Sequence, residues 1–326
     1  MVDLSCIRDN NFVIIGRAGM DLNPYPAGTR TQDATNFVAS LGGSSANIAV
    51  AISKMGGKAA LVTCVSDDAI GRYCLNRLAD FGINAHHVRA VGGEARNSLA
   101  LYESRVEDHQ SVIYRNGAAD FEMTHEDVGA VDYASFGALI TAGTVLAAEP
   151  SRSATFHAFD LARAAGIPII FDVDYRPYSW PSPKVAAKVY SRAGAISDII
   201  VGNDDEFGFM AGSREQGLAK ARDLAKSTAS IVVYKMGEQG AITITPENEF
   251  RTGIYPVTAL KPTGAGDAFM GTFISSLAAG LPLKTAVLHG SAAAAIVVSK
   301  VGCSQAMPTP ETLHEFLATH PGPTTP

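Results

Sequence analysis

Lys261-Pro262-Thr263-Gly264-Ala265-Gly266-Asp267 leads directly into Ala268-Phe269-Met270-Gly271-Thr272-Phe273. A Pro-Thr-Gly-Ala-Gly turn cannot form helix interior, yet Phe269, Phe273, Ile274 and Leu277 recur at helical spacing. The turn therefore delivers the chain onto a helix N-terminus that Asp267 opens. The N–H groups left free by a first helical turn converge there and make a site for an anion. Small residues at Gly264, Ala265 and Gly266 let a bulky charged group approach the backbone, and Asp267 adds a carboxylate at the same place. Phosphoryl transfer to a hydroxyl needs both parts, N–H groups to hold developing charge and a base to take the hydroxyl proton. An ordinary glycine-rich turn with a capping Asp uses the same residues, so both readings stay open on this stretch alone.

Two better-known phosphate loops are absent. A dinucleotide fingerprint would need glycine where Phe269 stands, and no Gly-x4-Gly-Lys-Ser/Thr occurs in the 326 residues. With 47% hydrophobic and 18% charged residues the chain can bury a large core, and it is read as a single domain over 1–326. A formal net charge of −6 without a dense Lys/Arg run argues against a nucleic-acid partner. Cys6, Cys64, Cys74 and Cys303 form no CxxC and lack zinc spacing, which points to reduced thiols in a cytoplasmic protein. The N-terminal segment reads as neither signal peptide nor anchor, no run is long enough to span a membrane, and Pro321–Pro326 reads as a frayed tail.

Outward from the turn, the chain alternates strand and helix. Phe12–Gly16 reads as a buried strand that carries Asp21 out into a turn. Leu22–Leu41 reads as short exposed strands, and Gly42-Gly43-Ser44-Ser45-Ala46-Asn47 starts a helix running from about Ala46 to Met55. Strand Ala60–Val65 and helix Ile70–Phe81 continue the βα pattern of a parallel sheet. Ser98–Ser104 and Gln110–Arg115 alternate like a hairpin across a charged turn. Together with Leu22–Leu41 they would build a small β lid, over about 20–42 and 96–120, with Tyr102, Tyr114 and Arg115 facing a cleft or serving only as cross-strand pairs. Alternation then resumes through strands at Ala138–Ala142, Ile167–Val173, Ile199–Gly202 and Ser230–Lys235.

Ligand groups in such a sheet belong at the carboxyl ends of strands. Those ends read Phe171-Asp172-Val173-Asp174-Tyr175-Arg176, Gly202-Asn203-Asp204-Asp205-Glu206 and Lys235-Met236-Gly237-Glu238-Gln239-Gly240. Carboxylates of this kind suit a hydrated Mg²⁺ held indirectly, and the Gly237-x-x-Gly240 turn permits close approach of a nucleotide. Ser291–Ala295 offers a small-residue helix face for a flat base or for close packing.

Gly42-Gly43 with Asn47, Asn203-x-x-Glu206 and Gly264-Ala-Gly-Asp267, in this order across nearly the whole chain, resemble the ribokinase-like (PfkB) family of carbohydrate kinases. The resemblance implies an α/β fold, a three-layer α/β/α sandwich with a small β-stranded lid. Ile15–Leu22, Ser104–His109, Tyr114–Asp120, Asp172–Trp180 and Leu260–Asp267 look like the sugar-acid kinases of myo-inositol catabolism within it. That implies ATP-dependent phosphorylation of the C6 hydroxyl of 5-dehydro-2-deoxy-D-gluconate, with 2-dehydro-3-deoxygluconate as the alternative acceptor and a non-catalytic sugar-acid sensor as the alternative class. By motif, Asp267 is the base, and Gly264, Ala265 and Gly266 form the anion hole. Asn203 and Glu206 organise Mg²⁺ through water, Lys235, Gly237 and Gly240 lie on the nucleotide, and Asp21, Gly43 and Asn47 hold sugar hydroxyls. A substrate carboxylate calls for a bidentate guanidinium, for which Arg115, Arg176 and Arg17 are the candidates.

One departure from the family pattern is Lys261, which stands where most members carry an acidic residue near a monovalent-cation site. The expectation is that its ammonium replaces the cation and that activity is potassium-independent. The lid strands leave two arrangements open, exposed edges or a homodimer through the lid.

Overall fold

Strand Asn11–Ile15 (β1) alternates so that Val13 and Ile15 enter one hydrophobic core and Phe12 and Ile14 the other, all four fully buried. A strand apolar on both faces requires helices on both sides. The computed structural model describes residues 3–105 and 107–323. After β1 come β2 (Gly19–Tyr25), β3 (Asn36–Gly42), α1 (Ser44–Lys54), β4 (Lys58–Ser66), α2 (Ala69–Asp80), β5 (Val88–Val91), β6 (Leu99–Tyr102) and β7 (Ser111–Tyr114). The second half contains α3 (His125–Gly129), β8 (Ala138–Ala142), α4 (Ser151–Ala164), β9 (Ile169–Asp172), α5 (Pro183–Gly194), β10 (Ile199–Asn203), α6 (Asp204–Ala211) and α7 (Gly217–Ser227). It closes with β11 (Ile231–Lys235), β12 (Ala241–Ile244), β13 (Glu249–Thr252), α8 (Ala265–Ala278), α9 (Leu283–Val298) and α10 (Pro310–Thr319).

The large sheet has nine strands in the order β13-β12-β11-β10-β9-β8-β1-β4-β5. It is parallel from β5 to β11, and β12 and β13 are added antiparallel at one edge. One core joins the sheet to α3–α7 through Val128, Phe159, Tyr190, Phe207 and Leu224. The other joins it to α1, α2, α8 and α9 through Ile48, Leu78, Phe273 and Val287. The result is the expected three-layer α/β/α sandwich. Strands are laid to one side after β1 and to the other from β8 on, so the crevice for a ligand lies outside the carboxyl ends of β1 and β8.

A second sheet, in the order β3-β2-β6-β7, falls within the two stretches read as a lid. Asp21 lies inside β2 rather than in a turn, paired with Ser40 of β3 and Ala100 of β6. Strands β5 and β13 were not anticipated, because each is four residues long at a sheet edge and carries no apolar run. Helix α8 begins two residues before Asp267, at Ala265. Residue 106 of the charged turn and residues 324–326 of the expected tail lie outside the described residues. Among the described residues no helix is long and apolar enough to cross a membrane.

Candidate active site

Gly264 is the N-cap of α8 with φ +84°, a left-handed conformation that glycine alone adopts without strain. A Cβ there would also lie 2.9 Å from Cys303 Sγ, so the floor of the turn is closed by a thiol that no sequence signal marked. Because the turn enters the helix this way, the N–H groups of Ala265, Gly266 and Asp267 reach no protein acceptor among the described residues, and the first intrahelical bond is Ala268 N–H to Gly264 O. Asp267 is the third helical residue. Its Oδ2 accepts a 2.8 Å hydrogen bond from Asn47 Nδ2, on the first turn of α1. The sequence reading gave Asn47 to the sugar alone; the structure also sets it on the Asp267 carboxylate, and its Oδ1 has no protein partner among the described residues.

Burial pushes Asp267 up to about 6, reinforced by Asp174 and opposed by the Asn47 hydrogen bond, Arg176 and Lys235. Asp21, only 2% exposed, is pushed up to about 7 by burial against the pull of Arg17, with Asp267 raising it further. Its Oδ1 has no partner among the described residues. A Cβ on Gly42 would sit 1.9 Å from that oxygen, so Gly42 is the residue that leaves space for the carboxylate. Burial likewise raises Asp172 and Glu206, with Lys235 opposing in both cases. Asp174 behaves differently: although buried, it is held below the usual carboxylate range by Arg176 and by a hydrogen bond from Ser44.

Lys235, at the end of β11, brings its ammonium 5.6 Å from the Phe269 ring centroid and 3.5 Å from where a Cβ on Gly266 would be. A cation at the positive end of a helix is unfavourable unless an anion lies between them. Three free N–H groups and this ammonium fit the phosphates of a nucleotide. Asn203 and Glu206 form a capping box at the start of α6. Asn203 Oδ1 accepts from Glu206 N at 2.8 Å and Glu206 Oε2 from Asn203 N at 2.7 Å, while Glu206 Oε1 accepts from Tyr175 N at 3.2 Å. Both Glu206 oxygens thus already hold backbone, and among the described residues no three His, Cys, Asp or Glu side chains are grouped to hold a metal directly. The donor set fits only a cation held through water. Gly237 and Gly240 flank a short turn after Lys235; at Gly240 a Cβ would meet Thr252 O at 2.0 Å, so that glycine lets the end of β13 approach the turn. The small residues of α9 are used in packing, with Ala292 against Tyr255 and Phe316 and Ala293 in the main core.

Strand parity corrects one assignment on the small sheet. Tyr102 is two residues beyond Ala100, which pairs with Asp21, so it shares the face of Asp21. Tyr114 pairs with Leu99, which pairs with Met20, and therefore lies on the opposite face, 61% exposed. Arg115 is buried and its guanidinium is committed, to Asp120 and to the Thr144 carbonyl at 2.9 Å. Arg176 pairs with Asp174 at 2.7 Å. Gly43 caps α1 with φ +97° against the Arg17 carbonyl, where a Cβ would come to 2.4 Å. Lys261 is fully buried and its Nζ donates to Thr263 O at 2.6 Å, so the ammonium ties down the turn from below. Burial holds it below its ordinary value, against the pull of Cys303, Asp267 and Asp21.

The chain is 40% identical over 317 residues to the 5-dehydro-2-deoxygluconokinase of Photobacterium profundum, covering 96% of each chain. It is 35% identical to the enzyme of the same name from Geobacillus kaustophilus, over 95% of this chain and 94% of that one. A Vibrio cholerae fructokinase with fructose, ADP and calcium bound superposes with a TM-score of 0.82 at 25% identity, over 95% of this chain and 99% of the other. A double mutant of that fructokinase with fructose, ADP and potassium bound gives 0.81 at 26% identity, over 94% and 98%. Residues 9–310 match the family described as pfkB family carbohydrate kinase, and the chain belongs to that family.

Proposed function

We propose that the chain is an ATP-dependent sugar-acid kinase that phosphorylates the C6 hydroxyl of 5-dehydro-2-deoxy-D-gluconate. The observation that carries this reading is the Asp267 carboxylate standing beside three unpartnered N–H groups, with the Lys235 ammonium over them. The name shared by the relatives supports the acceptor. When bound, ATP supplies the phosphoryl group and Mg²⁺ offsets part of its charge. Asp267 takes the proton of the acceptor hydroxyl, Asn47 aims its carboxylate, and the N–H groups of Ala265, Gly266 and Asp267 stabilise charge on the transferred group. Asn203 and Glu206 hold the water around the cation, Asp21 and Asn47 Oδ1 accept sugar hydroxyls, and Tyr102 closes over the sugar from the small sheet, which acts as a lid. The enzyme works in the cytoplasm, and a second copy covers the lid's outer face.

Lys261 takes the place of a monovalent cation in this reading. Exchanging sodium for potassium leaves turnover unchanged, and a large activation by potassium overturns that assignment. The function itself is tested by ADP release across a panel of sugar acids and neutral sugars. ATP is consumed with 5-dehydro-2-deoxy-D-gluconate, and Asp267→Asn keeps substrate affinity while turnover falls roughly 10²- to 10⁴-fold. Absence of ATP consumption with every sugar acid, or near-normal turnover in the variant, overturns the reading.

A further inference from the structure

Three arginines border the cleft, and the structure gives carboxylate partners to two of them. Arg115 is neutralised by Asp120 inside the protein, and Arg176 by Asp174. Arg17 is only 7% exposed, yet its one hydrogen bond among the described residues runs from Nη1 to Ser98 Oγ at 2.9 Å, and no carboxylate lies within ion-pair distance. A guanidinium removed from water without a counter-ion at contact is costly, and a carboxylate arriving with the substrate relieves that cost.

The placement of Arg17 fits such a role. It follows the exit of β1 through Gly16, and its backbone carbonyl is fixed by Ala46 N–H at 3.2 Å at the start of α1. Ser98, on the approach to β6, holds the guanidinium from the small sheet. The charged and titratable groups that act on it are Tyr102, Asp21, Asp120 and Asp174. Arg176 and Lys235 are among the charges that act on Asp267 and Arg17 is not, while Asp174 acts on both Arg17 and Asp267. A sugar acid phosphorylated on its terminal hydroxyl carries the carboxylate at the far end of the carbon chain, away from the base.

We infer that Arg17 receives the substrate's carboxylate and sets the preference for a sugar acid over a neutral sugar. The inference rests on the sugar-acid kinase reading above, and two arms separate their failures. In the first, wild-type protein is given ATP with 5-dehydro-2-deoxy-D-gluconate or with its uncharged primary amide; no turnover of the acid overturns the kinase reading. The second arm measures calorimetric binding of the same acid and amide and needs no turnover. Arg17→Met weakens the acid about 10- to 100-fold, the loss of a hydrogen-bonded charge partner, and leaves the amide within about twofold. Arg17→Lys falls between, since it keeps the charge and loses the planar fork. Thermal melts of the Arg17 variants separate a lost binding contact from a misfolded site. Equal losses for acid and amide, unchanged acid binding, or an acid-selective loss in Arg176→Met in place of the Arg17 variants overturns the inference. If Arg17→Met does not fold, the acid-against-amide comparison in Arg17→Lys decides.

Discussion

At neutral pH the half-buried Asp267 carboxylate is ionised although Asp174 opposes it, and the fold bears the cost of that charge. Asp267 is pushed up to about 6 and Asp21 to about 7, and the Asp267 charge is one of the causes of the raised Asp21 value. A base works only when deprotonated, so with Asp267 as the proposed base kcat/KM declines as pH falls through about 7 to 6, which a pH–rate profile of the wild-type enzyme checks. The same shift makes a statement about stability. A carboxylate whose folded value lies above its ordinary 3.8 carries no penalty below that pH, and the full penalty above about 6. Asp267→Asn therefore melts with wild type at pH 4 and higher than wild type at pH 8, by up to about 3 kcal/mol. Thermal melts of both proteins across that range test this, and coincident melts at pH 8 count against a buried charge at this position.

The pairing of Asn47 with Asp267, the proposed base, is a property of two helices. Asn47 and Ala51 lie one turn apart on α1, and Asp267 and Gly271 one turn apart on α8. A Cβ on Gly271 would meet Ala51 Cβ at 2.4 Å and Ile48 O at 3.0 Å, so the close crossing one turn below the base depends on that glycine. Glycine inside a helix costs about 1 kcal/mol against alanine, which the tight packing offsets. Gly271→Val overpacks the crossing by about 1–3 kcal/mol. Because it also separates Asn47 from Asp267, it lowers kcat more than it raises KM for the sugar acid, as steady-state kinetics with a parallel melt will show. Normal kcat in a destabilised variant would mean that the crossing does not position the base. The turn and its helix were legible from Pro262, the glycines and the apolar spacing. The Asn47 contact was not, since it joins residues 220 apart and no local pattern encodes it.

For the molecule as a whole, the small sheet presents two unlike faces. Asp21, Ser40, Ala100 and Tyr102 share the inner one. Strand parity puts Met20, Leu22, Phe37, Leu99, Leu101, Val112 and Tyr114 on the outer one, where Phe37, Val112 and Tyr114 are exposed. If, as proposed, a second copy covers this face, the 34.1 kDa chain sediments as a dimer and Val112→Glu with Tyr114→Glu as a monomer. Sedimentation of both proteins tests it; a monomeric wild type removes the second copy. Alternating βα signals made the sandwich readable, because a strand apolar on both faces has few other uses. Edge strands Val88–Val91 and Glu249–Thr252 escaped because half-solvated edges need no apolar run. Tyr114 was misassigned because parity depends on register, which neither strand states by itself. The partners of Arg115 and Arg176 likewise became visible only once Asp120 and Asp174 had been brought beside them.

The order of strands has a consequence for how the protein is made. Strands β8 to β11 join the sheet in chain order and β12 and β13 follow, after which the chain crosses back to set α8 on α1. A nascent chain leaving the ribosome thus shows Arg17, Asp21 and Asn47 well before Asp267 exists, and the phosphate-handling end of the cleft is the last to be assembled.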